Sequence, residues 1–191
     1  MNEGCYGAVV KGLCEAGREL RAITLLEEAR DNGRCSRAVV RSWTAGARGV
    51  TVEEGLRLLE AVPDRLRKDA VDGLCQGNAA VAIRLASKEC QPTAKGWTAV
   101  MTDEGVPVDA VKKIWERMVG RGEVDQAAFL SYFGRVVAAE GDFGPWHDER
   151  WEGLRDVRSC TVAVREALKR ARPVAEVQEM WDGRGEGTDL R

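Results

Sequence analysis

Residues 6–33 read Tyr-Gly-Ala-Val-Val-Lys-Gly-Leu-Cys-Glu-Ala-Gly-Arg-Glu-Leu-Arg-Ala-Ile-Thr-Leu-Leu-Glu-Glu-Ala-Arg-Asp-Asn-Gly, a pattern of two short helices around one tight turn. Val9, Val10 and Leu13 share one helical face, with Cys14 beside them. Ala22, Leu25, Leu26 and Ala29 repeat that spacing further on. Ala16-Gly17 closes the first pattern and Asn32-Gly33 the second, since glycine adopts the left-handed conformation that ends a helix at little cost. The stretch therefore predicts a helical hairpin of about 30 residues, too small to bury its apolar face alone. Such a hairpin needs neighbours of its own kind.

The hairpin recurs. Leu13 has counterparts in Trp43, Leu74, Met101, Val137 and Leu168, at an average spacing of about 31 residues, the period of a two-helix repeat. Ala22 has counterparts in Gly55, Ala82, Ala110 and Ala175, where a small residue lets two helices approach. First helices (A) are predicted near 5–16, 36–45, 68–77, 94–104, 126–140 and 159–171. Second helices (B) are predicted near 20–32, 52–62, 79–88, 108–121, 146–156 and 174–182. Thr51 with Glu54 forms a capping box, and Pro107 sits at a helix start, where proline is tolerated. In the fifth unit His147, Trp151 and Leu154 make a stripe at i, i+4, i+7; in the sixth Val174, Val177 and Trp181 make another. The expected core includes Val10, Leu13, Cys14, Leu25, Leu26, Leu74, Ile83, Leu85 and Ile114. The fold class is all-α, a solenoid of about six hairpins over residues 1–182. Residues 183–191 form a Gly-rich charged tail, expected to be disordered without a partner.

Composition narrows the function. The chain has 191 residues and a net charge of −2, from 29 basic and 31 acidic side chains. That balance argues against holding nucleic acid by bulk charge. Six cysteines contain no C-x-x-C, and His147 is the sole histidine, so neither a metal site nor a cofactor is expected. Unpaired cysteines on predicted core faces point to a reducing compartment. No apolar run approaches 18 residues, and neither a secretory signal nor a transit peptide is read at the N-terminus. No phosphate loop, dinucleotide fingerprint or metal-carboxylate spacing is present, which leaves no catalytic residue to name. His147-Asp148-Glu149 lacks a nucleophile and reads as a charge cluster at a helix start.

The first hairpin resembles a pentatricopeptide repeat. Val9-Val10-Lys11-Gly12-Leu13-Cys14-Glu15-Ala16-Gly17 and Ala22-Ile23-Thr24-Leu25-Leu26-Glu27-Glu28-Ala29 match that family's two helices without a gap. Asp72-Gly73-Leu74-Cys75 with Ala82-Ile83-Arg84-Leu85 is a second match; the second and fourth units are recognisable, and the fifth and sixth match in periodicity only. The tetratricopeptide pattern fits less well, because its unit-ending proline is missing after the first hairpin. The resemblance implies an α-solenoid of mitochondria or plastids that works in organellar RNA metabolism. Family members read one base per repeat with two or three side chains. The reading slot holds Gly7, Arg37, Lys68, Lys95, Ser131 and Val162, of which Ser131 alone is of the expected type. The partner slot holds Asn32, Pro63, Cys90, Gln126 and Val157, of which Asn32 alone fits.

The base-reading code is thus absent as aligned. Arg37, Lys68 and Lys95 read either as a phosphate-contacting stripe or as an ordinary solvated face. With Ser131 they are the candidate RNA contacts. The six tryptophans either stack bases or anchor the core and interfaces. Cys14 and Cys75, at one repeat position, read as small core residues rather than nucleophiles. The expectation is a binding protein of the mitochondrial matrix, a structural part of a ribonucleoprotein such as the mitochondrial ribosome, touching structured RNA and neighbouring proteins. The alternatives are a free factor that binds one organellar transcript and a protein-only scaffold subunit.

Overall fold

The computed structural model describes residues 2–46, 49–86 and 90–182; the predicted tail 183–191 lies outside them. The described residues are helical, with no strand among them. The chain divides into two units, Met1–Gly105 and Val106–Arg191.

The first unit holds α1 (Glu3–Glu15), α2 (Glu19–Asp31), α3 (Arg37–Gly46), α4 (Val52–Ala61), α5 (Asp64–Cys75), α6 (Ala79–Leu85) and α7 (Ala94–Thr102). The odd helices pack in succession, α1 on α3, α3 on α5 and α5 on α7. The even helices form a second layer, α2 on α4 and α4 on α6, and α1–α2 and α5–α6 close as hairpins. The predicted boundaries agree within a few residues. Helix ends follow the sequence signals. The Asn2 side chain accepts from the Cys5 amide at 2.9 Å to start α1. Gly17 (φ 66°) and Gly33 (φ 66°) are left-handed. Behind them Arg18 N–H reaches the Leu13 carbonyl and Arg34 N–H the Ala29 carbonyl, the six-to-one bonds that close a helix. The Thr51–Glu54 capping box forms as read.

Close approach of the odd helices is set by small residues. A Cβ on Gly46 would stand 3.0 Å from the Cys14 Cβ and the Lys11 carbonyl, and one on Gly7 would stand 3.0 Å from Ser42 Oγ. A Cβ on Gly73 would run into the Thr44 side chain, and one on Gly96 into the Asp72 carboxylate. In the even layer, one on Gly55 would stand 2.6 Å from Leu85 Cδ1. The core agrees with the sequence at Val10, Cys14, Leu26, Leu74 and Leu85. Three expectations need correction: Leu13, Leu25 and Ile83 are half-buried. In α2 Ala22, Leu26 and Ala29 are buried as read, and Ile23 on the other flank of that stripe is buried where Leu25 was expected.

The second unit holds α8 (Val108–Arg121), α9 (Gln126–Glu140), α10 (Gly144–His147), a 3-10 turn (Glu149–Leu154), α11 (Val157–Lys169) and α12 (Val174–Asp182). Here α9 is central and meets α8, α11 and the 3-10 turn. The single helix predicted over 146–156 does not form. Asp148 is extended (φ −76°, ψ 112°), and its carboxylate accepts from the Arg150 amide at 3.0 Å. That local bond starts a new turn instead of continuing the helix. His147 is exposed and Trp151 and Leu154 are half-buried, while Phe143 and Trp146 reach the core. Phe133 collects the aromatic contacts, with Phe129 at 5.8 Å, Trp146 at 5.6 Å and Phe143 at 6.4 Å. Ile114 is buried as read, but Leu168, the counterpart of Leu13, is 62% exposed, and Val174 of the predicted α12 stripe is 81% exposed. Met180 is the buried residue of α12, and its carbonyl accepts from Cys160 Sγ at 3.3 Å.

Candidate binding cleft

In the first unit α3, α5 and α7 enclose a polar cleft of about 710 Å³. Arg41, Thr44 and Ala45 line it from α3; Asp69, Asp72, Gly73 and Gln76 from α5; Gly77 follows, and Lys95 stands at the start of α7. Asp72 is committed to structure: it accepts from the Thr93 amide at 2.7 Å and from Thr93 Oγ1 at 2.8 Å. Thr93 Oγ1 in turn accepts from the Gly96 amide at 3.3 Å, which caps α7.

The four candidate contacts fare differently. Arg37 is exposed, but its Nε holds Asp69 at 2.8 Å. Lys95 lines the cleft. Lys68 is exposed on α5, away from the cleft lining. Lys68, Lys95 and Arg41 form no ion pair among the described residues. Ser131 belongs to α9 in the second unit, and its hydroxyl donates to the Ala127 carbonyl at 2.8 Å. That proton serves its own helix.

Two further slots, Gly7 and Asn32, are engaged within the fold. Gly7 is buried against Ser42. Asn32 donates to the Glu28 carbonyl at 2.9 Å and stands 3.4 Å from the Tyr6 hydroxyl, which itself donates to Glu28 Oε1 at 2.9 Å. Trp43 and Trp97 are fully buried, and Trp115 and Trp146 nearly so. Trp115 stacks on Tyr132 at 4.4 Å and meets Trp151 edge-on at 5.0 Å. Trp181, 40% exposed, is the most accessible of the six. Burial pushes the Cys14 and Cys75 thiols up to about 12, with nearby carboxylates adding to the effect. The Asp148 carboxyl is held below its ordinary value mainly by the Arg150 guanidinium.

Sequence reading missed Arg41, Asp69, Asp72 and Gln76. One signal was present: Arg37 and Asp69 stand one repeat apart, so a stack of odd helices brings them together. The resulting surface alternates in charge rather than forming a basic track. Among the described residues no helix is long and apolar enough to cross a membrane. Compared with known proteins, the chain matches no family model and no curated sequence.

Proposed function

We propose that the chain is a pentatricopeptide-type helical solenoid that serves as a structural component of an organellar ribonucleoprotein, with the mitochondrial ribosome as the first candidate. It works by binding rather than by catalysis, touching the RNA backbone and neighbouring proteins. One observation carries the reading. The odd helices pack in succession, and three of the six reading slots are engaged within the fold. Gly7 is packed away, Arg37 is held by Asp69, and Ser131 bonds its own helix. A protein with such slots has cations for phosphates and few free groups for base edges.

The test is sedimentation of the tagged protein in an organellar gradient, with and without nuclease. Co-migration with a ribosomal subunit supports the reading, and protein that stays at the top of the gradient overturns it. Competition against a pool of random single strands tests the same point from the RNA side. Enrichment of one motif by about a thousandfold would favour a transcript-specific factor instead.

A second reading, a protein-only scaffold, draws on the cleft. Asp69 and Asp72 stand between Arg41 and Lys95, and alternating charge suits a polypeptide better than a polyphosphate.

A further inference from the structure

The cleft over α3, α5 and α7 has an order of charge. Arg41 stands on its α3 side, Lys95 on its α7 side, and Asp69 and Asp72 of α5 lie between them. Contacts between neighbouring helices fix the levels. Arg37 holds Asp69 and Thr44 approaches Gly73, so Arg41, about one turn from each along α3, stands between those two contacts. On the other side Asp72 bonds Thr93, and a Cβ on Gly96 would meet its carboxylate; these two residues bracket Lys95 in the chain. A path across the three helices at this level therefore runs from a cation, over two carboxylates, to a second cation.

The four groups keep different capacity for a ligand. Arg41 and Lys95 are exposed and form no ion pair among the described residues. Asp69 uses Oδ1 to hold Arg37 at 2.8 Å, and 18% of its side chain is exposed. Asp72 accepts one hydrogen bond on each oxygen, from the Thr93 amide and hydroxyl. A carboxylate offers about four lone-pair sites, so both aspartates still accept.

These features choose between occupants. A single strand of nucleic acid carries a charge at every nucleotide, so phosphates that reached Arg41 and Lys95 would place others over Asp69 and Asp72. A small anion does not span the two cations, because helices packed about 8–10 Å apart put the axes of α3 and α7 about 16–20 Å from each other. An extended polypeptide covers that distance in about six residues, with alternate side chains on one face. It can carry acids at the ends and donors between them.

We propose that the cleft binds an extended segment of a partner protein with acidic side chains at i and i+6 and basic ones at i+2 and i+4. The acids pair with Arg41 and Lys95, and the bases face Asp69 and Asp72. The inference rests on the reading that this chain binds neighbouring proteins.

Fluorescence anisotropy of the full chain tests it with a labelled, end-blocked peptide, Glu-Thr-Lys-Thr-Lys-Thr-Glu. The comparison peptide, Lys-Thr-Glu-Thr-Glu-Thr-Lys, has the same composition and net charge with acids and bases exchanged. The first is expected to bind about tenfold tighter than the second. It is released in about 1 M salt, which screens the pairs. Arg41→Gln and Lys95→Gln each weaken it about threefold, as exposed ion pairs do, and together about tenfold. Lys113→Gln, on α8 and outside the cleft lining, leaves it unchanged. Equal binding of the two peptides, no binding up to about 1 mM, or Arg41 and Lys95 variants that bind as the wild type does overturn the proposal. So does an oligouridylate that displaces the peptide, which would make the occupant a polyanion. The titration uses the purified chain alone, so its failure is distinct from a failure to co-migrate in the organellar gradient.

Discussion

The first hairpin and the stretch from α9 to the 3-10 turn begin with the same rhythm and end differently. Both carry apolar residues at helical spacing, and both end the first helix on a left-handed glycine, Gly17 and Gly141. After Gly17 a full helix of 13 residues follows. After Gly141 come a four-residue helix and a separate 3-10 turn. The first pair buries mostly small and aliphatic side chains, with Tyr6 as its ring. The second fills the space with rings, Phe129, Phe133, Phe143 and Trp146. An apolar rhythm thus specifies which residues go inside, whereas the backbone path between them depends on where side chains such as Asp148 find local bonds.

That contrast can be tested at four places, beginning where the measured change is greatest. Thiol labelling at neutral pH should modify exposed Cys5 rapidly and buried Cys14 and Cys75 roughly a thousandfold or more slowly, because the latter need an opening of the first unit. Their folded values lie above the ordinary 9.0, so the stability they contribute is complete below that pH. It is lost as pH rises from 9.0 through about 12. Fast labelling of Cys14 at neutral pH would mean that the hairpin is loosely packed.

Next, Phe133→Ala should cost about 3–5 kcal/mol by denaturant unfolding, since its ring is fully buried among other rings. A cost below about 1 kcal/mol would show that the aromatic cluster does not replace the missing helix.

Gly73→Ala should cost about 1–3 kcal/mol, because the added methyl meets the branched Thr44 side chain and α3 and α5 must part. The double variant with Thr44→Ala should recover most of it. If Gly73→Ala is neutral, small residues do not set the spacing of the odd helices.

A subtler difference lies at the helix ends. Ala171 adopts φ 51° where the first unit places Gly17 and Gly33. Arg172 N–H still reaches the Ala167 carbonyl at 3.0 Å, so the motif is the same with a less suitable residue. Ala171→Gly should stabilise by about 1 kcal/mol, and Gly17→Ala should destabilise by a similar amount. Equal signs in thermal melts would end the parallel.

Much of this was legible in the sequence, for reasons that particular residues make plain. Gly17, Gly33 and the Thr51–Glu54 box act through their nearest neighbours in the chain, so the helix boundaries followed from local chemistry. Whether Ile23 or Leu25 flanks the buried stripe Ala22, Leu26 and Ala29 depends on which helices α2 meets, and a periodicity alone does not carry that. The stripe His147, Trp151 and Leu154 had helical spacing, but spacing cannot register that Asp148 leaves the helical conformation between its first two members. The cleft was half visible: Lys95 was singled out from its slot, while Asp69 and Asp72 gain meaning only when α3, α5 and α7 lie side by side.

The capping of α7 bears on the order in which the first unit assembles. Its start is held by Thr93, whose amide and hydroxyl are fixed by Asp72 of α5. Val50 N–H, just before α4, likewise relies on the Asn78 side chain at the start of α6, 3.2 Å away. A nine-residue helix such as α7 does not nucleate alone in water. Its first turn therefore becomes favourable only once α5 stands beside it, and α5 in turn reaches its position through Thr44 of α3. The start of α7 thus depends on a neighbouring helix, whereas α1 and α4 are capped by their own Asn2 and Thr51. In that sense Asp72 acts as a checkpoint: replacing it with Ala should slow refolding of α7 while leaving the rates of α1 and α2 unchanged, as read by pulsed hydrogen exchange.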